Sequence, residues 1–207
     1  MADYDALNPN RAATDREPIP DYLIRDIIDG VPYYYKGYES VLNKRKTFEE
    51  IMGSSGLQAE IIMYLNFLLI NHLGIDKYRI YTSESGNHVS KNVNYGLDLA
   101  VYDMETLPSE KINERYVDVP PLLVVEVDVK VDTNDLTEEE FIYKKTQSLL
   151  DYGVEKVVWV TSKSKKLLIA TADEDWIVRD WNKNFVLFQN IEANIGAFLT
   201  QRGVKAN

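Results

Sequence analysis

The chain has 207 residues, 45% hydrophobic and 27% charged, the balance of an ordinary folded globular protein. Cysteine is absent and histidine occurs only at positions 72 and 88, which excludes disulfides, thiolate zinc sites, cysteine nucleophiles and three-histidine metal sites. Twenty-three Lys and Arg against 33 Asp and Glu leave a net charge of −10, which argues against nucleic-acid binding by overall charge but leaves room for a local basic groove beside an acidic centre.

Residues 1–20 are polar, carry Pro9, Pro18 and Pro20, show no periodicity and predict a flexible arm. No basic and apolar leader opens them, and the most apolar stretch, 61–70, is broken by Asn66 and falls short of the roughly 20 residues of a membrane span. The expectation is a soluble, cytoplasmic protein with no membrane partner, in which residues 21–207 form one domain. A hairpin is predicted from 22–28 and 31–35, joined by Asp29-Gly30. Ser54-Ser55-Gly56 then introduces a helix over 57–73 that Gly74 ends; its apolar residues run round most of the circumference, which predicts heavy burial. Strands are expected over 78–83, 97–102 and 122–131. A helix over 136–152 follows, approached through Asn134 and Asp135, with Thr137 and Glu140 at capping-box spacing and Gly153 as its stop. Further strands fit 156–161, 166–171, 176–181 and 185–188, and the tail over 191–201 reads as a short helix. Interleaved strands and helices predict a mixed α/β or α+β sheet flanked by helices.

The stretch 122–131, Leu-Leu-Val-Val-Glu-Val-Asp-Val-Lys-Val, carries the chemistry. Alternation gives it one wholly apolar face, while the other presents Glu126, Asp128 and Lys130 in a row, which is costly unless those charges are solvated, paired or bound to metal. Asp98 stands 28 residues ahead of Glu126 at the start of a short apolar strand. Two carboxylates converging from neighbouring strands make a hard-oxygen site suited to Mg²⁺ or Mn²⁺. On the helix that follows, Ile142, Lys145, Leu149 and Tyr152 share a face, so Lys145 points inward among apolar residues; it either snorkels past Tyr152 to water or serves an acidic centre. Tyr33, Tyr34, Tyr35 and Tyr38 with Lys36 could stack on bases but equally suit a sheet, and the one dense basic run is 43–46.

These residues resemble the Uma-type restriction-endonuclease family of the PD-(D/E)XK nuclease superfamily. Asp26-Ile-Ile-Asp-Gly30 is similar to that family's acidic residue before an Ile-Asp-Gly turn, and Gln58 stands at the start of its opening helix. Leu97-Asp98 matches its Pro-Asp strand with the proline replaced. Pro121-Leu-Leu-Val-Val-Glu126-Val matches its Pro-to-Glu-Val strand, and Lys145 through Gly153-Val154 to Trp159 its lysine helix and aromatic strand. The likeness spans about residues 22–170. It implies a restriction-endonuclease-like core in which Asp98 and Glu126 hold Mg²⁺ or Mn²⁺, with Glu60, Gln58 or Asp26 in support. It implies DNA as substrate, cut by hydrolysis of the phosphodiester, and is compatible with a homodimer, on which the sequence itself is silent. A lysine is part of this chemistry: Asp128-Val-Lys130 fits the superfamily's D-x-K literally, whereas the family pairs Glu126 with Lys145, which the helix phase also favours. The sequence departs from the family at Gln58, where histidine is usual, and at 128–132, where a serine-rich segment is usual. A catalytically silent nuclease-fold module that binds nucleic acid or a partner protein is the alternative these departures suggest.

Overall fold

Eight strands among the described residues join in one sheet, in the spatial order 31–34, 24–28, 93–103, 123–127, 156–161, 166–171 and 177–180, with 78–90 lying against 93–103. The computed structural model describes residues 18–133 and 136–205; most of the expected N-terminal arm, and Asn134 and Asp135, lie outside them. The strands are β1 Ile24–Ile28, β2 Val31–Tyr34, β3 Tyr78–Ser90, β4 Val93–Asp103, β5 Leu123–Val127, β6 Lys156–Thr161, β7 Lys166–Thr171 and β8 Ile177–Asp180. A separate pair is formed by β9 Phe185–Phe188 and β10 Ile191–Ala193. The helices are α1 Tyr38–Leu42, α2 Glu49–Met52, α3 Gly56–Leu73, α4 Glu138–Tyr152 and α5 Ile195–Gln201. None of the described helices is long and apolar enough to cross a membrane.

Local chemistry sets the two long helices. The Ser55 hydroxyl accepts from the Gln58 N–H while the Gln58 amide oxygen accepts from the Ser55 N–H, and Thr137 and Glu140 repeat that reciprocal cap at α4. Gly153 ends α4 at φ 110, a left-handed conformation that glycine takes without steric cost. The helices cover opposite faces of the sheet. Ile61, Leu65 and Leu69 of α3 pack on Leu99, Val101, Leu123, Val125 and Val127, with α5 and the β9–β10 pair completing that core. Phe141, Leu149 and Leu150 of α4 pack on Tyr95, Ala100, Tyr102, Val124 and Trp159, together with Ile28 and Tyr33 of the hairpin. Helix α4 is the crossover between the parallel strands β5 and β6; the other strand pairs run antiparallel.

Three expectations need correcting. The strand expected over 122–131 ends at Val127, because Asp128 adopts φ 60 and turns the chain. As a result Val129 and Val131 join the α4-side core, opposite Val127. Helix α3 is not buried all round: Met63, Phe67 and Ile70 line an outward face and are 40–60% exposed. The tail expected as one helix over 191–201 is split between β10 and α5.

One topological detail locates the chemistry. Strand β3 pairs with β4 along its length, so β1 and β5 must both use the other edge of β4. β1 meets it at Asn94 and β5 at Leu99–Val101, leaving a fork between them at Gly96 to Asp98.

Candidate active site

Buried carboxylates and cations converge in that fork. The pairing of Leu99 with Val125 sets Asp98 opposite Glu126 one step further along, and both are buried at 1% and 0% exposure. Asp98 Oδ2 accepts from the Val127 N–H at 2.8 Å, closing the ladder where the strands part. Asp26 comes from β1, its Oδ1 accepting from the Gly96 N–H at 3.0 Å. Lys145 reaches in from α4, fully buried: its Nζ lies 3.1 Å from Glu126 Oε1 and 3.1 Å from Asp26 Oδ2, and 4.9 Å from the centre of the Tyr95 ring. Its neighbour Lys144 turns outward to Asp29.

Lys130 also arrives, by a different route. Beyond the turn at Asp128 its Nζ returns to 2.9 Å from Asp98 Oδ1 and 3.1 Å from Glu84 Oε1, and it donates to the Ser54 hydroxyl. Both lysines therefore belong to the cluster, one on each carboxylate of the Asp98–Glu126 pair. Asp128 itself does not join: its carboxylate accepts from the Ser162 N–H and hydroxyl, both at 2.6 Å. Glu60 is also outside, on α3, 3.6 Å from Arg202. Gln58 stands behind the site, its amide donating to the Val127 carbonyl at 2.8 Å.

Sequence reasoning missed Arg25 and Glu84, and offered Tyr35 only as a base-stacking or sheet residue. A register shift in β1 between Ile24 and Asp26 marks a bulge at Arg25, which lets two successive residues both turn inward. The Arg25 guanidinium lies 3.1 Å from Asp26 Oδ2, 3.2 Å from Asp98 Oδ1, 3.7 Å from Glu126 Oε2 and 3.6 Å from Glu84 Oε1. Glu84 reaches the cluster because β3 bulges at Ser83 and Glu84, both with positive φ, and the Tyr35 hydroxyl donates to it at 3.1 Å. Two adjacent charges inside the apolar run 22–28 were a readable sign of Arg25; the polar run around Glu84 gave none. The remaining tyrosines of the hairpin serve packing: Tyr33 lies against Phe141 and Tyr34 stacks on Tyr38. The basic run 43–46 is exposed in the turn after α1.

Four carboxylates (Asp26, Glu84, Asp98, Glu126) thus meet three cations (Arg25, Lys130, Lys145). Burial pushes the Glu126 carboxyl up to about 7; the adjacent Lys145 and Arg25 oppose this and Asp98 and Asp26 add to it. For Arg25, burial disfavours the charged form, but the pull of Asp26, Glu126, Asp98 and Glu84 wins and holds it protonated. The cluster opens to solvent on the side of Glu84 and Lys130, whose side chains are 22% and 11% exposed. A surface groove of about 540 Å³, lined by Asp29, Lys144, Gln147 and Asp151 among others, includes none of these seven groups.

Among the described residues no three or more Asp, Glu or His side chains are disposed to enclose a metal ion. The pair Asp98–Glu126 nevertheless supplies two adjacent carboxylates of the hard-oxygen kind that a divalent cation takes. Both Glu126 oxygens are buried without a hydrogen bond, Lys145 being near Oε1 but not in hydrogen-bonding geometry. A positive group, Arg25 Nη2, already bridges Asp98 Oδ1 and Glu126 Oε2.

A family model described as "Uma2: Putative restriction endonuclease" matches residues 47–190. No curated protein matches. Among solved structures the chain is similar to "a putative nuclease belonging to DUF820 from Anabaena variabilis ATCC 29413", with a TM-score of 0.60 and 10% identity over 84% of this chain and 89% of that one. At that identity the likeness is one of fold, and it agrees with the restriction-endonuclease-like core expected from sequence.

Proposed function

The chain belongs to the Uma2 family, and from that premise we propose that it is a DNA endonuclease that hydrolyses phosphodiester bonds with a divalent cation, Mg²⁺ or Mn²⁺. The observation that carries this reading is the Asp98–Glu126 pair, buried side by side with a lysine on each member and with both Glu126 oxygens free of hydrogen bonds. Asp98 and Glu126 would hold the cation, which when bound supplies Lewis acidity toward the phosphate and lowers the pKa of the attacking water. Lys130, on the solvent side, offsets charge on the phosphate oxygens. Lys145 sits on the opposite side of Glu126, held by Asp26, and keeps the Glu126 carboxylate oriented while balancing its charge. Cutting both strands of a duplex calls for two such centres, which a homodimer provides.

The test is cleavage of supercoiled plasmid and single-stranded DNA at low salt with Mg²⁺ or Mn²⁺, comparing wild type with Glu126→Ala and Asp98→Ala. Cleavage by wild type, abolished in both variants, supports the reading. No cleavage by any of them favours the silent module that binds nucleic acid or a partner protein. Salt bridges from Arg25 and Lys130 to Asp98 favour that second reading too, since they already neutralise the carboxylate.

A further inference from the structure

The position of Arg25 bears on how a metal could enter. Its guanidinium is nearly fully buried and meets all four carboxylates of the cluster. One nitrogen, Nη2, stands between Asp98 Oδ1 and Glu126 Oε2, the two groups assigned to the cation. Lysine contacts do not share this property: Lys130 approaches Asp98 from the Glu84 side and Lys145 approaches Glu126 from the Asp26 side. A cation bound by both carboxylates and a guanidinium between the same two oxygens would occupy the same space and repel each other in a buried setting where charge interactions are strong. Glu84 offers the guanidinium another partner: its Oε1 is already 3.6 Å from Arg25 Nε, and the residue lies on the exposed side of the cluster.

We propose that Arg25 is a resident counter-cation of the Asp98–Glu126 pair, so that guanidinium and divalent cation occupy it in turn, and that metal entry moves Arg25 off the pair toward Glu84. This rests on the metal-nuclease reading and adds to it a device: the carboxylate pair carries its own neutralising charge, and Arg25 sets the affinity for metal. In the loaded state the displaced guanidinium stands beside Lys130 at the mouth, where it adds to the positive charge that meets a phosphate.

Mn²⁺ binding to the full chain, measured by isothermal titration calorimetry with the metal alone, tests this on wild type, Arg25→Gln and Glu126→Gln. The expected result is at least ~10-fold tighter binding to Arg25→Gln than to wild type, with binding lost in Glu126→Gln. Equal affinities for wild type and Arg25→Gln, with binding lost in Glu126→Gln, overturn the exchange and leave the metal site standing. Absence of binding to both wild type and Arg25→Gln overturns the exchange together with the metal reading. If Arg25→Gln does not fold, the wild type answers by nitrogen NMR of the guanidinium. Slow rotation, expected for a group pinned by four carboxylates, should become fast as Mg²⁺ saturates the protein. A guanidinium that stays pinned at saturation refutes the exchange.

Discussion

Glu126→Gln isolates the energetic consequence of burying a carboxyl among charges. Burial raises the group from an ordinary 4.5 to about 7, so the folded state holds this proton more tightly than the unfolded chain does. Below pH ~4.5 the group is protonated in both states and costs nothing; above pH ~7 it is ionised in both, and the folded state bears the full cost. At 1.36 kcal/mol per pH unit the difference is about 3 kcal/mol, an upper figure because the neighbouring charges readjust. Stability contributed here is therefore present at acid pH and lost as pH rises through about 7. Glutamine keeps the shape and cannot ionise, so relative to wild type the variant should gain about 3 kcal/mol between pH 4.5 and 8. Urea unfolding in EDTA at several pH values, followed by tryptophan fluorescence, reads this out, since Trp159 is buried beside the site. Parallel stability curves for the two proteins, their difference constant within ~0.5 kcal/mol, would refute the reasoning.

Lys145→Met leaves Asp26 and Glu126 without their shared cation, and should cost about 3–5 kcal/mol at pH 8. The loss should shrink at pH 5, where the Glu126 carboxyl is protonated; urea midpoints at the two pH values check this. Asp128→Ala strands the Ser162 N–H at the end of β6 and should lower stability by about 1–3 kcal/mol, measurable by the same unfolding assay. Gly153→Ala places a side chain at φ 110, with Pro120 at ordinary contact distance. It should cost about 1 kcal/mol from the backbone alone, seen as a lower thermal midpoint.

What the sequence disclosed and what it hid follow from one distinction. Regular elements were legible: β6, β7 and β9 fall where alternation and turn residues put them, and the Thr137–Glu140 capping box and the glycine stops of both long helices can be read directly. Within the site, Asp98, Glu126 and Lys145 were legible because each is a charge interrupting an apolar pattern in a regular strand or helix. Arg25, Glu84 and the return of Lys130 depend on a bulge at 25, a bulge at 83–84 and the left-handed residue at 128. At each, the period of two fails, so counting along the strand assigns the side chain to the wrong face. For Lys130 the count extends the row of charges straight on, whereas the chain doubles back to Asp98. Irregular backbone therefore supplies three of the seven charged groups of this cluster.

The span of the network also bears on when the centre comes into being. Asp26 and Lys145 are 119 residues apart, Arg25 and Asp98 are 73 apart, and both contacts bridge elements that are remote in sequence. Such closures carry a large entropic cost and come late among folding events. On the ribosome, a chain that has emerged only as far as β5 presents Asp98 and Glu126 but lacks Lys145, whose helix has yet to be made. The hairpin that brings Arg25 and Asp26 has meanwhile been synthesised for most of the chain's length and must wait for α4 to seal it. The charged centre thus needs the chain from β1 through α4, and its assembly marks the moment at which the hairpin, the central strands and the crossover helix have found one another.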